Sequence, residues 1–166
     1  MKRFYFLFLI SFTTTIEVSA QIEPALPSVC LNNGPNNKNN MTVTGNTTFT
    51  FANLAEFDAS QSSNTITITV ASSQKYKLYI AGVMTAVTAS ATNTAIPINT
   101  FTIASTNRGT SPATITLSNS YLEVADFPSS TTGLSHTLTI TRNTLNTFSQ
   151  EPGNHTLTLH IRYCQY

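Results

Sequence analysis

Three histidines, two cysteines and seven carboxylates are the side chains of this 166-residue sequence with chemistry to offer. His155 and His160 stand five positions apart in a stretch that reads as one strand, so they face opposite sides, about 17 Å apart at ~3.4 Å per residue. They cannot share a metal ion on an unbroken strand. His136 falls in the inward phase of its strand and His160 in the outward phase of the last one, which separates them in a simple hairpin with aligned apolar faces. Histidines at the surface or at sheet ends are therefore expected. Nucleophilic catalysis would need a serine or cysteine at a strained turn and a base oriented by a third group. Among so many serines, chance proximity to a histidine carries no information. No G-x-S-x-G, H-E-x-x-H or G-x-x-x-x-G-K-[ST] pattern occurs.

Apart from Glu17, the acidic residues Glu23, Glu56, Asp58, Glu123, Asp126 and Glu151 are scattered, and a calcium loop needs a denser set. Solvated loop charges are the expectation, with Glu56 and Asp58 as the only acidic pair spaced for a cation. The sequence predicts no catalytic residue, no metal and no cofactor. Asn40, Asn46 and Asn154 match N-x-[ST] and could carry glycans in a eukaryotic secretory pathway, although an Asn- and Thr-rich chain produces such matches by chance. Tyr79, Tyr121 and Tyr166 could offer aromatic faces to a sugar or a protein; core or edge packing is the simpler expectation.

The compartment gives the cysteines their meaning. Lys2 and Arg3 precede an apolar run over residues 4–12, and Val18-Ser19-Ala20 precede Gln21, which reads as a secretory signal peptide over residues 1–20. The run is about half the ~20 residues needed to cross a bilayer. No second run of that kind follows, so no membrane span is expected after leader removal. In an oxidising compartment Cys30 and Cys164 are expected to pair within the chain. A pair of intermolecular bridges and a lipidated Cys30 are the alternatives, the latter disfavoured by Pro27-Ser28-Val29 and by the distance from the apolar run. The expected location is secreted, periplasmic or at the cell surface.

Composition agrees with an exposed β-protein: 40% of residues are hydrophobic and only 9% charged, against roughly 25% in typical soluble domains. Neutral Thr, Asn and Ser supply the polarity. Eight basic residues against seven acidic ones exclude the dense cationic surface that nucleic-acid binding requires.

Residues 21–46, with Pro24, Pro27, Pro35 and an Asn-rich run, read as an extended arm and polar loop. Residues 47–166 then show alternation of period two and no helical face. Phe49 and Phe51 share one side of a strand. Ile66, Ile68 and Val70 alternate with Thr65, Thr67 and Thr69, and Tyr76, Leu78 and Ile80 follow after Ser72-Ser73, which predicts a hairpin. Residues 81–95 read as a loop or irregular edge strand, and Pro97 places the next strand at an edge or at a bulge. Ile115 and Leu117, residues 121–124, then Leu134, Leu138 and Ile140, and finally Leu157, Leu159, Ile161 and Tyr163 complete seven to eight short strands. Strands apolar on one face must bury it, so the expected fold is all-β: an antiparallel two-sheet sandwich of immunoglobulin-like proportions. A barrel is the alternative. No Trp is present for an antibody-type core.

Residues 64–70, 76–80 and above all the ending Pro152-Gly153-Asn154 through Tyr163 resemble bacterial pilin-type and spore-coat-U-like secreted domains, which end in a proline-glycine turn, a long alternating strand and a terminal aromatic. The resemblance implies an exported immunoglobulin-like sandwich assembled by β-strand addition. Ile22, Leu26, Val29 and Leu31 are then the candidate donor arm, and a Cys30–Cys164 bond within one chain leaves only the part before Cys30 free. The family's early-to-middle disulfide has no counterpart here. The expected function is a non-enzymatic subunit of a cell-surface structure or an adhesin-like module, with other subunits or a surface glycan as partners. The second reading is an extracellular carbohydrate-binding module, and a hydrolase is the third.

Overall fold

A computed structural model describes residues 10–15, 25, 27–31, 41–45, 47–51, 59–72, 74–86, 96–128, 131–144 and 155–166. In chain order these form β1 (Ile10–Thr15), α1 (Ser28–Leu31), β2 (Met41–Thr44), β3 (Thr47–Phe51), β4 (Gln61–Ser72), β5 (Tyr76–Ala86), β6 (Phe101–Ser105), β7 (Thr114–Thr116), β8 (Leu122–Phe127), β9 (Thr131–Arg142) and β10 (His155–Gln165). The strands make two five-stranded sheets, β3-β1-β10-β5-β8 and β2-β4-β9-β6-β7. All neighbours are antiparallel except β1 and β10. Among the described residues no helix is long and apolar enough to cross a membrane.

The all-β two-sheet sandwich follows from the alternation. Ile66, Ile68 and Val70 of β4, Phe101 and Ile103 of β6, and Leu138 and Ile140 of β9 are buried against Leu78 and Ile80 of β5, Val124 of β8, and Leu157, Leu159 and Tyr163 of β10. Their neighbours Thr65, Thr67, Thr69, Thr137, Thr139 and Thr141 take the other side, exposed or half-buried. β-branched residues suit both faces of such a surface, the methyl packing sideways and the hydroxyl meeting water.

Connectivity departs from the sequence reading. β4 and β5 are not a hairpin, because β4 pairs with β2 and β9 in one sheet while β5 pairs with β8 and β10 in the other. β9 and β10 likewise lie in opposite sheets. In each case two apolar faces meet across the core instead of lying side by side. Ser72 sits at the first crossing, where its hydroxyl donates to the Gln74 carbonyl (2.8 Å) and accepts from the Gln74 N–H (3.2 Å). Pro97 does not mark an edge: it precedes a 3-10 turn at Ile98–Thr100, and β6 begins after it, inside its sheet between β9 and β7. β5 runs on through Ala86, so the start of the stretch read as a loop or irregular edge strand is strand, and it lies inside its sheet between β10 and β8. Strands at Ile10–Thr15 and Met41–Thr44 lie in the segments read as leader and as arm and loop.

Candidate functional site

Two features distinguish the β3-β1-β10 half of the first sheet. The first is β1. It runs parallel to β10, with Phe12 opposite His155 and Thr15 opposite Thr158, and antiparallel to β3, with Ile10 opposite Phe51 and Thr14 opposite Thr47. Among the described residues β3 reaches this sheet only through β1. The second is the disulfide between Cys30 and Cys164, 134 residues apart, which ties α1 to the far end of β10. Both cysteines are buried with Tyr79, and Tyr121 packs against them. The Tyr121 hydroxyl accepts a hydrogen bond from Arg162 Nε at 3.3 Å. Tyr79 and Tyr121 are thus packing groups for the disulfide. A bond of this kind fits an oxidising, non-cytoplasmic compartment. Of the candidate donor residues, Val29 lies within the helical turn of α1, and Ile22 and Leu26 fall outside the described residues.

A charged cluster sits on β5 and β8 of the same sheet. Lys77 Nζ lies 2.8 Å from Glu123 Oε2 and 3.1 Å from Asp126 Oδ2. Positions 123 and 126 would face opposite sides of a regular strand. A register shift between Leu78 and Tyr79 places Lys77 opposite Asp126 and Tyr79 opposite Glu123, so the bulge turns both carboxylates to one face while Val124 and Ala125 both enter the core. These acids are therefore not solvated loop charges. The Ser111 hydroxyl donates to Glu123 Oε1 (2.7 Å) and the Tyr166 hydroxyl to Asp126 Oδ1 (2.7 Å). The hydrogen bond to Glu123 holds the Lys77 ammonium above its ordinary range, against the effect of burial. Burial alone would raise the Asp126 carboxyl, but the bonds from Tyr166 and Lys77 outweigh it and hold it below the usual carboxylate range. Tyr166, the exposed aromatic, lies over Lys77 (5.6 Å from ring centre to Nζ).

Two of the three histidines, His136 and His160, are buried and not at the surface or at a sheet end. His136 is fully buried opposite Ile68, its Nε2 2.9 Å from the Tyr76 hydroxyl and its ring edge-on to Phe127. His160 is 6% exposed, and its Nε2 has no hydrogen-bond partner among the described residues. His136 enters the core because it holds an inward position. His160 is covered although its position is outward, on the face that also buries Ala81 beside it. His155 lies in β10, so the first and last histidines of that strand are paired to Ala86 and Ala81 respectively. Among the described residues no three His, Cys, Asp or Glu side chains gather where a metal ion could be held. Glu56, Asp58, Asn40, Asn46 and Asn154 lie outside the described residues.

A hollow of about 320 Å³ lies between β5 and the 3-10 turn, bounded by Met84, Ile96, Pro97, Ile98 and Asn119. Among the described residues no aromatic ring lines it. The sequence reading also missed Arg142, fully buried at the end of β9 with Nη2 donating to the Ala59 carbonyl at 2.6 Å. Its polar type gave no signal that it would close the sandwich end. No family model, curated protein or solved structure matches this chain.

Proposed function

We propose that this chain is an exported, non-enzymatic β-sandwich that serves as a subunit of a cell-surface structure, fimbrial or coat-like, or as an adhesin-like module of one. What carries this reading is the strand at Ile10–Thr15. A sheet position between β3 and β10 is filled by a segment that the sequence assigns to a removable leader, and a sheet lacking one strand is completed by strand addition. Main-chain hydrogen bonds supply affinity in this mode, which suits a surface with little charge. The disulfide supports the same reading, because it fixes the end of β10 while leaving the pairing edge at residues 155–158 to another strand.

Nonreducing size analysis of the exported protein tests it. Higher-order species that persist when intermolecular disulfides are excluded are expected. A strictly monomeric protein with saturable binding on a glycan array would overturn the reading in favour of a carbohydrate-binding module.

A further inference from the structure

β1 and β10 are not neighbours along the chain. A parallel pair has no tight turn to join it, and these two strands stand near opposite ends of the chain. β1 pairs with β3 and β10 and is joined to the disulfide by the tether that follows it. Fourteen residues separate Thr15, paired to Thr158, from Cys30, bonded to Cys164. The two anchor points on β10 are six residues apart, about 20 Å at ~3.4 Å per residue, whereas the tether can span roughly 50 Å when extended. Its length suffices to reach, which gives β1 an effective concentration at the slot on the order of millimolar.

We propose that Ile10–Thr15 is a self-supplied occupant of the slot between β3 and β10, which closes the full chain to strand addition. Cutting after Ala20 opens it. This rests on the subunit reading above and adds its regulation. The cut lies inside the tether, between the occupant and the disulfide anchor, so it leaves β1 with no covalent link to the rest of the chain. The occupant's effective concentration then falls from millimolar to that of free peptide. β3 loses its route into the sheet through β1, β10 presents unpaired N–H and C=O groups over residues 155–158, and an extended segment running in the direction of β10 can take the place.

The test uses the full chain, oxidised and folded, with a specific protease site placed between Ala20 and Gln21. Before cutting, slow amide exchange over residues 47–51 and 155–158 and a monomeric elution are expected. After cutting and removal of the released peptide, exchange over those residues should accelerate by at least about tenfold and oligomers should form. A synthetic peptide spanning residues 8–17 should restore protection and block oligomers. The variant Thr13→Pro, which removes an N–H in the middle of β1, should open the slot without a cut. Unchanged exchange after cutting, or full chain that oligomerises as readily as cut chain, would overturn the proposal. If the slot opens and rebinds the peptide but the cut chain stays monomeric, the self-occupied slot stands and the subunit reading falls.

Discussion

Burial makes His136 a pH-sensitive member of the core. Desolvation lowers its pKa from the ordinary 6.5, and a backbone group of Asn107 opposes this less strongly. In the unfolded chain the ring takes up a proton near pH 6.5, whereas in the folded chain it stays neutral to lower pH. The unfolded state therefore binds more protons in that interval, and stability falls as pH decreases below 6.5, by up to about 1.4 kcal/mol per pH unit until the folded-state pKa is reached. Thermal unfolding followed between pH 7.5 and 5 should show this slope, and His136→Gln should flatten it while lowering stability at pH 7.5 by about 1 to 2 kcal/mol through the lost Tyr76 contact. An unchanged slope in the variant would assign the acid sensitivity elsewhere. Lys77 poses the opposite case, a half-exposed charge between two carboxylates. Lys77→Met leaves Glu123 and Asp126 facing each other, for an expected loss of about 1 kcal/mol at low salt that shrinks as salt screens the repulsion. The individual charges were legible in the sequence, but their grouping was not. It depends on one bulged residue, which shifts the phase of alternation without leaving a mark in residue type.

At the scale of elements, the loop before β7 is fixed by a close backbone approach. Gly109 has φ +63° and bridges to Asp126, and a Cβ there would run into the Asp126 carbonyl oxygen. Gly133 has φ +67° with nothing within 4 Å of a Cβ. Gly109→Ala should therefore cost more than Gly133→Ala, about 2 to 4 kcal/mol against about 1, in denaturant midpoints measured side by side. Equal costs would mean that the bridge contributes nothing. The disulfide acts on a longer element, the arm from α1 to β10. In the chain-entropy picture, closing a loop of 134 residues stabilises by about 4 to 5 kcal/mol. The double variant Cys30→Ser/Cys164→Ser should lose most of this in urea titration, and a loss below about 1 kcal/mol would show that packing of Tyr79 and Tyr121 already holds the arm. This pairing was legible from two cysteines and from residues 1–20 reading as an export leader. α1 was not, because four residues among prolines carry no periodic signal.

For the whole molecule, the sequence showed which side of β4, β6 and β9 turns inward but not which sheet each strand joins. Ile66, Ile68 and Val70 announce an apolar face, and so do Tyr76, Leu78 and Ile80. Two such faces in succession satisfy a side-by-side hairpin and a pair opposed across a core equally well. The chain crosses between the sheets at Ser72–Gln74, and the hydrogen bonds there look the same in composition as those of any polar turn. The slot beside β10 was hidden for a related reason, since a leader's apolar run and a strand's apolar run share residue types.

The opposed arrangement has a kinetic consequence. β4 pairs with β9, β5 with β10 and β1 with β10, so the ladders join residues far apart in sequence. Loop closure must precede most of the stabilising contacts, which places refolding of the oxidised chain on a scale of about milliseconds to seconds. Stopped-flow circular dichroism and tyrosine fluorescence should give one common rate, because Tyr76 and Tyr163 are buried between the same two sheets whose ladders dichroism reports. Leu138→Ala, at the centre of β9 opposite Ile66, removes contacts shared by both sheets and should lower stability by about 2 to 5 kcal/mol with the two probes still coincident. If the two probes separate in that variant, the sheets form in distinct steps and do not share one cooperative core.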